Sequence, residues 1–311
     1  VKKGKRVSVE KSTIQKYENV KRKIIEYEKY KRLKLKLKDI DERFQIDFME
    51  FLREQKRYSE NYIGRVIPFV KTVCIDAKKE GFTTNTQLQN IKGYEVETSF
   101  VILTETEIAK IRGTTMFREA LENAKDWLIL GCYIGQRVSD LLKLKKENII
   151  NTSEGKPSIQ LIQKKTKKRV VIPINKIVFE ILNKNNGDFP RKISEQRFNE
   201  YIKEVARISG IDEKVSGSLV NKETKLKEVG IFEKWQLVSS HICRRSFASN
   251  FYGKIETPLL IGVTAHSTER QFLKYIGKTP DDYANILSDK FDNYSFPEPI
   301  KSDVPKLKIA K

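Results

Sequence analysis

The chain has 311 residues, enough for two domains of ordinary size, and 39% hydrophobic residues leave room for real cores beside 33% charged ones. Its formal net charge of +20 demands a polyanionic partner, with nucleic acid as the first candidate and an anionic membrane as the second. The membrane reading loses ground because no apolar run approaches the roughly 18 residues that a spanning helix needs.

In chain order, "VKKGKRVSVEKS" is basic with no apolar segment behind it, so it is no secretory signal. It lacks an initiator Met, and a further N-terminal part is expected ahead of it. Residues 1–38 carry 15 Lys/Arg against 4 Asp/Glu. Within them Tyr17, Val20, Ile24 and Tyr27 recur at helical spacing, which predicts a basic helix with one apolar stripe. "LKLKLK" (Leu33 to Lys38) alternates like a short strand. Asp41 then opens a helix with Phe44, Phe48 and Phe51 on one face. Another helical pattern follows Ser59, carries Tyr62, Val66, Phe69 and Val73, and stops at Gly81. Pro68 inside it predicts a kink or an early break. Residues 81–100 hold no period and read as a linker, leaving 1–80 as a small, basic, helical domain.

The second domain begins at "TETEIAKI", where Thr104 and Glu107 have capping-box spacing. Helical periodicity runs through "FREALENAKDWLILGCYIG". In "SIQLIQKKTKKRVVIPI" (158–174) two β-prone runs flank a lysine-rich turn, which predicts a hairpin ended by Pro173. Helical patterns resume near 176, with a polar insert around 210–230, and the last amphipathic helix is "TPDDYANILSDKFD" before a Pro- and Lys-bearing tail. Cys74, Cys132 and Cys243 are odd in number and far apart, with no metal-type pair. A disulfide framework is not expected, which fits a reducing cytoplasm.

Several residues could carry chemistry, and each has a bland reading beside the sharp one. His241 and Arg244 in "HICRRSFASN" share one face of a helix start, or form an ordinary basic surface. Arg137 follows Gly135 at a turn entering a helix, with Asp140 one turn on, as in many surface Arg–Asp pairs. Five cations crowd the turn of "QKKTKKRVV", a common feature of solvated loops. His266 in "TAHSTERQFLKYI" falls in a loop before a helix, and Tyr275 falls on that helix, where Phe272 and Ile276 would equally suit a core tyrosine.

As a set they fit phosphodiester cleavage without metal. Paired guanidiniums can clamp the non-bridging oxygens, where charge concentrates in a pentacovalent transition state. A phenol, with an ordinary pKa near 10, needs a base or a positive field to become a nucleophile. Histidine can be that base, and lysine or histidine can protonate the leaving 5′ oxygen. No carboxylate cluster, Walker A loop or Cys/His zinc spacing is present in the sequence.

The order Arg137 in "GQRVSDLLKL", Lys165 in a hairpin, "HICRR", then His266 and Tyr275 resembles the tyrosine recombinases, the phage-integrase family. "SSHICRRSFASNFY" and "HSTERQFLKYIGKTP" are similar to integrases of integrative and conjugative elements. The likeness is strong over about 100–290 and weak over 30–90. It implies a mainly α fold with a small β-hairpin or sheet, as a helical core-binding domain plus a catalytic domain forming a C-shaped clamp on DNA. The implied layout is a basic segment 1–30, the remnant of a truncated arm-binding region, then a core-binding domain 31–90 and a linker 91–101. A catalytic domain 102–292 and a tail 293–311, expected to pack on a neighbour, follow.

By the same resemblance Arg137 and Arg244 bind the phosphate, His241 transfers a proton and contacts phosphate, and His266 is its counterpart. Lys165 is the general acid, eight residues before Pro173, with Lys164 and Lys167 as close alternatives. Tyr275 is the nucleophile, nine residues after His266, and Asp140 supports Arg137. Ala265 departs from the pattern, since the family usually has Gly before this histidine, and that puts the local turn in question. The implied activity is site-specific recombination through a 3′-phosphotyrosyl link and a Holliday junction, integrating or excising a mobile element without cofactor or metal. The implied partners are double-stranded DNA, a tetramer of the chain itself, and an accessory DNA-bending protein or directionality factor, with no membrane and a cytoplasmic location. The rivals are a type IB topoisomerase-like relaxase with the same chemistry, a non-enzymatic DNA-binding protein, and a metal-dependent nuclease.

Overall fold

A computed structural model describes residues 10–98, 100–221, 223–224 and 226–295. The chain divides into two compact units, Val1–Ser99 with Ser216–Gly230, and Phe100–Val215 with Ile231–Lys311. The predicted arm-binding remnant (in its first nine residues) and most of the 293–311 tail lie outside the described residues.

The first unit is built on helices α1 (Lys11–Lys31), α2 (Glu42–Glu50) and α3 (Glu60–Lys79). Asp41 caps α2 by accepting the Phe44 amide, and a single π-helical turn, Phe51–Gln55, extends that helix. The apolar stripe of α1 is as the spacing predicts: Val20 and Tyr27 are buried, and the Tyr27 ring meets Phe44, Phe48 and Phe51 edge-on. Residues 11–31 therefore belong to the same core as 42–79 instead of forming a separate segment. Leu33 to Lys38 is not a strand. The Leu35 amide donates to the Glu28 carboxylate, a tight turn follows at Leu37–Asp39, and both leucines pack on the core. With no strand beside it among the described residues, alternation alone cannot hold an extended backbone.

Pro68 does not break α3. A proline frees the carbonyl four residues back, here Gly64, and the chain at Gly93 and Tyr94 lies directly over that point. A Cβ on Gly64 would sit 2.1 Å from the Tyr94 carbonyl oxygen, and one on Gly93 would sit 2.3 Å from the Gly64 oxygen. Only two glycines permit this approach. Val66 is buried and Tyr62 and Phe69 pack on the core as the spacing predicts, Val73 faces solvent, and Ile63, Ile67, Val70 and Cys74 widen the buried face beyond the predicted stripe. Nor is the stretch after Gly81 simply a linker. Leu88 and Ile91 are buried in the first core, and Gln45 exchanges two hydrogen bonds with the Lys92 backbone.

The second unit opens with α4 (Glu105–Gly113), capped reciprocally by Thr104 and Glu107, then α5 (Glu119–Ile134) and the short α6 (Val138–Leu141). An antiparallel sheet follows, β1 (Ile149–Asn151), β2 (Pro157–Ile162) and β3 (Arg169–Pro173), with Leu161 opposite Val170. Then come α7 (Lys176–Lys184) and α8 (Glu195–Ile208), a ribbon of β4 (Lys214–Val220) and β5 (Lys227–Glu233) whose residues Ser216–Gly230 fall in the first unit, and α9 (Lys234–Leu237). The chain ends its described part with α10 (His241–Phe251), α11 (Thr257–Thr264), α12 (Glu269–Leu273) and α13 (Pro280–Asp292). The fold is mainly α with small antiparallel sheets, as predicted. α5 is the central member: Trp127, Leu128, Leu130 and Ile134 are buried, with α8 and α10 packed on it. Gly131 lets α10 come close, since a Cβ there would meet the Cys243 sulfur at 2.7 Å. The β4–β5 ribbon occupies the polar insert. Its strands bury almost nothing, Val229 and Ile231 being exposed, so no alternation marked them.

Candidate active site

Gly135 ends α5 in the left-handed region, at φ 64°, and turns the chain so that Arg137 caps α6. From there the Arg137 guanidinium donates through Nη1 to Gln163 Oε1 at 2.9 Å. Arg244, on α10, is fully buried. Its Nη1 donates to the Gly135 carbonyl at 3.0 Å, and its Nη2 donates to the Thr264 carbonyl and lies 3.2 Å from His266 Nε2. One side chain thus joins the ends of α5 and α11 to the loop that carries His266. Burial, and then the charge of Arg137, push Arg244 down to about 10, so it stays protonated at neutral pH.

His266 follows Ala265, which takes the left-handed conformation at φ 51° that ordinarily favours glycine. Left-handed backbone costs Ala about 1 kcal/mol, and the buried Ala265 methyl returns about 0.8 kcal/mol. The two nearly cancel, so the turn forms without Gly. An arginine can only donate, so His266 Nε2 accepts and the proton sits on Nδ1, which faces Thr264 Oγ1 at 3.0 Å. Burial, with Arg244, Arg137 and His241 around it, pushes His266 down to about 3.

That depression has a consequence for stability. An unfolded histidine titrates near 6.5, so the unfolded chain takes up this proton first as pH falls. Stability present above about pH 6.5 is therefore lost progressively toward pH 3. The melting temperature is expected to drop from pH 7 to pH 5, and less steeply in His266→Gln; equal slopes in the two proteins would refute the buried neutral imidazole.

Tyr275 sits two residues past the end of α12, in a turn closed by its amide on the Phe272 carbonyl, and not on the helix itself. Its ring lies between two imidazoles, with centroids 4.6 Å from His266 and 5.2 Å from His241, and the Arg244 guanidinium carbon is 5.7 Å from its centre. His241 opens α10 and keeps an exposed face. Partial burial, and then Arg245, Arg244, Arg137 and Lys165, push it down to about 4. Arg137, Lys165, His241, Arg244 and Tyr275 line one cleft of about 280 Å³, together with Ser240 and Glu195. Of the three candidate lysines, Lys165 is the one that lines it.

Asp140 is buried, and its place differs from the expected one. Its Oδ1 accepts the Lys164 amide at 3.0 Å, holding the β2–β3 turn, and no ion pair joins it to Arg137 among the described residues. Gln163 takes the supporting position instead, which sequence reasoning missed because an amide beside a lysine run looks like loop. Ser249 was missed too. From α10 its hydroxyl donates to the Tyr275 carbonyl at 3.2 Å and accepts the Gly277 amide at 2.8 Å, so the helix bearing His241 and Arg244 also fixes the Tyr275 backbone. Among the described residues no group of His, Cys, Asp or Glu is arranged to hold a metal ion, and no helix is long and apolar enough to cross a membrane.

Residues 1–93 match the family described as "Phage integrase SAM-like domain". No curated protein matches the chain. Among solved structures, a lambda integrase dimer bound to a COC′ core site is similar at 15% identity and TM-score 0.61, over 85% of this chain and 91% of that one. The XerH site-specific recombinase in a post-cleavage complex with a palindromic difH substrate matches at 14% identity and TM-score 0.64, over 89% and 79%. The Tn1549 transposon integrase in complex with transposon right-end DNA matches at 17% identity and TM-score 0.57, over 92% and 96%. Residues 1–93 are therefore similar to a phage integrase SAM-like domain, and the chain has the fold seen in the lambda integrase and XerH recombinase structures.

Proposed function

We propose that this protein is a site-specific DNA recombinase, a strand transferase that cleaves and rejoins DNA through Tyr275. The observation that carries the reading is a phenol set between two neutral histidines and within 5.7 Å of a buried guanidinium carbon. Arg137 and Arg244 neutralise the non-bridging oxygens of the scissile phosphate, and Tyr275 Oη attacks phosphorus. His266 has both nitrogens engaged and orients Arg244. His241 keeps one imidazole face open to the cleft, and the bound phosphate raises its basicity, so it accepts the Tyr275 proton. Lys165 gives a proton to the departing 5′ oxygen. The 3′-phosphotyrosyl bond conserves the energy of the broken one, and a 5′ hydroxyl from a partner duplex reverses the step.

The finer assignment follows the family resemblance: four copies exchanging strands through a Holliday junction, to integrate or excise a mobile element of the conjugative-transposon kind, in the cytoplasm. An accessory DNA-bending protein or directionality factor belongs to the same reading. So does a division of labour in which the helical unit reads the core site and the second unit cuts it.

The test is a nicked duplex bearing a core sequence selected from a randomised pool, analysed on a denaturing gel. A covalent adduct that forms equally well in EDTA is expected, because a cleft lined by two arginines and a lysine repels Mg²⁺ while doing its electrostatic work. Adduct lost on chelation and restored by Mg²⁺ but not by spermidine would assign a nuclease. Relaxation of a single duplex without exchange between two would assign a topoisomerase. Binding of the same duplex should also weaken steeply with salt, as a +20 chain displaces several counterions; a flat salt response would contradict the phosphate-contact reading.

A further inference from the structure

Resting on that reading, we propose that Gln163 is the positioning residue of the site, an amide that fixes the Arg137 guanidinium and registers the Lys165 turn against it. Gln163 is fully buried just after β2. Its Oε1 accepts from Arg137 Nη1 at 2.9 Å and from the Thr166 hydroxyl at 2.8 Å. Its Nε2 donates to Gln136 Oε1 at 2.8 Å and to the Thr264 carbonyl at 3.4 Å. Gln136, also fully buried, sends its own Nε2 to the carbonyls of Ile134 and Val263.

The orientation of the amide follows from its partners. Arginine has no acceptor, so the atom facing Arg137 is the oxygen, and the nitrogen must then face Gln136. Every amide proton of the pair has an acceptor. Such a closed polar network is rigid because each member is costly to leave unpaired in a buried site. Mere filling would be done as well by an apolar side chain, which brings no desolvation cost. What the amide adds is direction. It joins the turn carrying Lys165, the residue before Arg137, and the Thr264 carbonyl that also receives Arg244. Both phosphate-binding arginines are thereby referred to one fixed frame before DNA arrives.

Cleavage of the nicked duplex provides the test, with Gln163→Met as the variant that keeps shape and removes the amide. Gln163→Met should cut on the order of 10²-fold more slowly, the size of loss that follows a small misplacement of a catalytic group. Its duplex affinity should be near that of the wild type. If Gln163 acts through Arg137, the double variant with Arg137→Ala is no slower than Arg137→Ala alone. A scissile methylphosphonate, lacking the oxygen charge that Arg137 neutralises, should shrink the defect of Gln163→Met and of Arg137→Ala alike. Multiplying rate losses, or an equal defect on both phosphates, would overturn the proposal by marking the role as general packing. Gln163→Asn, which leaves an amide in the cavity, answers the same questions should the Met variant not fold. Separately from cleavage, the Arg137 Nη resonances of the DNA-free protein should be slowly exchanging in wild type and averaged in the variant. Averaging in the wild type would overturn the tether whatever the enzyme does, whereas an inert wild type with a held Arg137 would discredit the recombinase reading alone.

Discussion

Tyr275→Phe is expected to abolish the covalent protein–DNA adduct while leaving fold and duplex affinity close to wild type. The ring is retained, and with it the contacts to both imidazoles and the Arg244 guanidinium. The backbone of the turn is held by Ser249 through the Tyr275 carbonyl and the Gly277 amide, neither of which the substitution touches. Only the hydroxyl oxygen is lost, the atom that the proposed mechanism bonds to phosphorus. Tyr252 and Tyr283 are the tyrosines that flank Tyr275 on either side in sequence, and they pack against each other at 5.9 Å without lining the cleft. Their Phe variants should form adduct normally. Gel analysis of all three against wild type decides the matter, and an adduct surviving in Tyr275→Phe would remove Tyr275 from the nucleophile's role.

Arg244→Ala should be the most damaging substitution in the second unit, and in two separable ways. It takes the guanidinium away from a fully buried site and leaves the Gly135 and Thr264 carbonyls and His266 Nε2 short of a donor. Buried groups left unpaired cost about 1–3 kcal/mol each, so a loss of roughly 3 kcal/mol or more is expected in urea unfolding. Removing a transition-state donor also slows the chemical step by about 10²–10³-fold. Arg244→Lys separates the two effects. It keeps the charge but cannot bridge both carbonyls at once, so stability should recover only in part and cleavage should remain slow. A lysine variant as stable and as fast as wild type would mean that the two carbonyl contacts matter little.

The legible part of the site was the part made by chemical identity. Histidines are only two in the chain, and arginines at helix starts stand out, so His241, Arg244, His266 and Arg137 could be singled out. The structure brings them together with Lys165 and Tyr275. What stayed hidden was the support. Gln136, Gln163 and Ser249 carry no charge and act through hydrogen bonds to residues 26, 27 and 28 positions away in sequence, which no local period reports. Elements held by tertiary contact were misread for a similar reason. The 81–94 segment contributes isolated apolar side chains to a core built elsewhere, and Pro68 is tolerated because Gly64 and Gly93 meet there. The helix α2, with its apolar residues at helical spacing, and the helices with reciprocal caps, α4 and α13, were readable because spacing and caps are signals written within a few residues of sequence.

The central claim, that Tyr275 becomes covalently joined to DNA, is tested most directly by mass spectrometry of the trapped adduct. Wild-type protein is incubated with the nicked core duplex, the DNA is trimmed by nuclease, and the peptides are sequenced by fragmentation. A nucleotide attached through its 3′ phosphate to Tyr275, within the peptide spanning residues 275–278, is the expected result. A nucleotide on any other residue, or a 5′ phosphate linkage on Tyr275, would contradict the account.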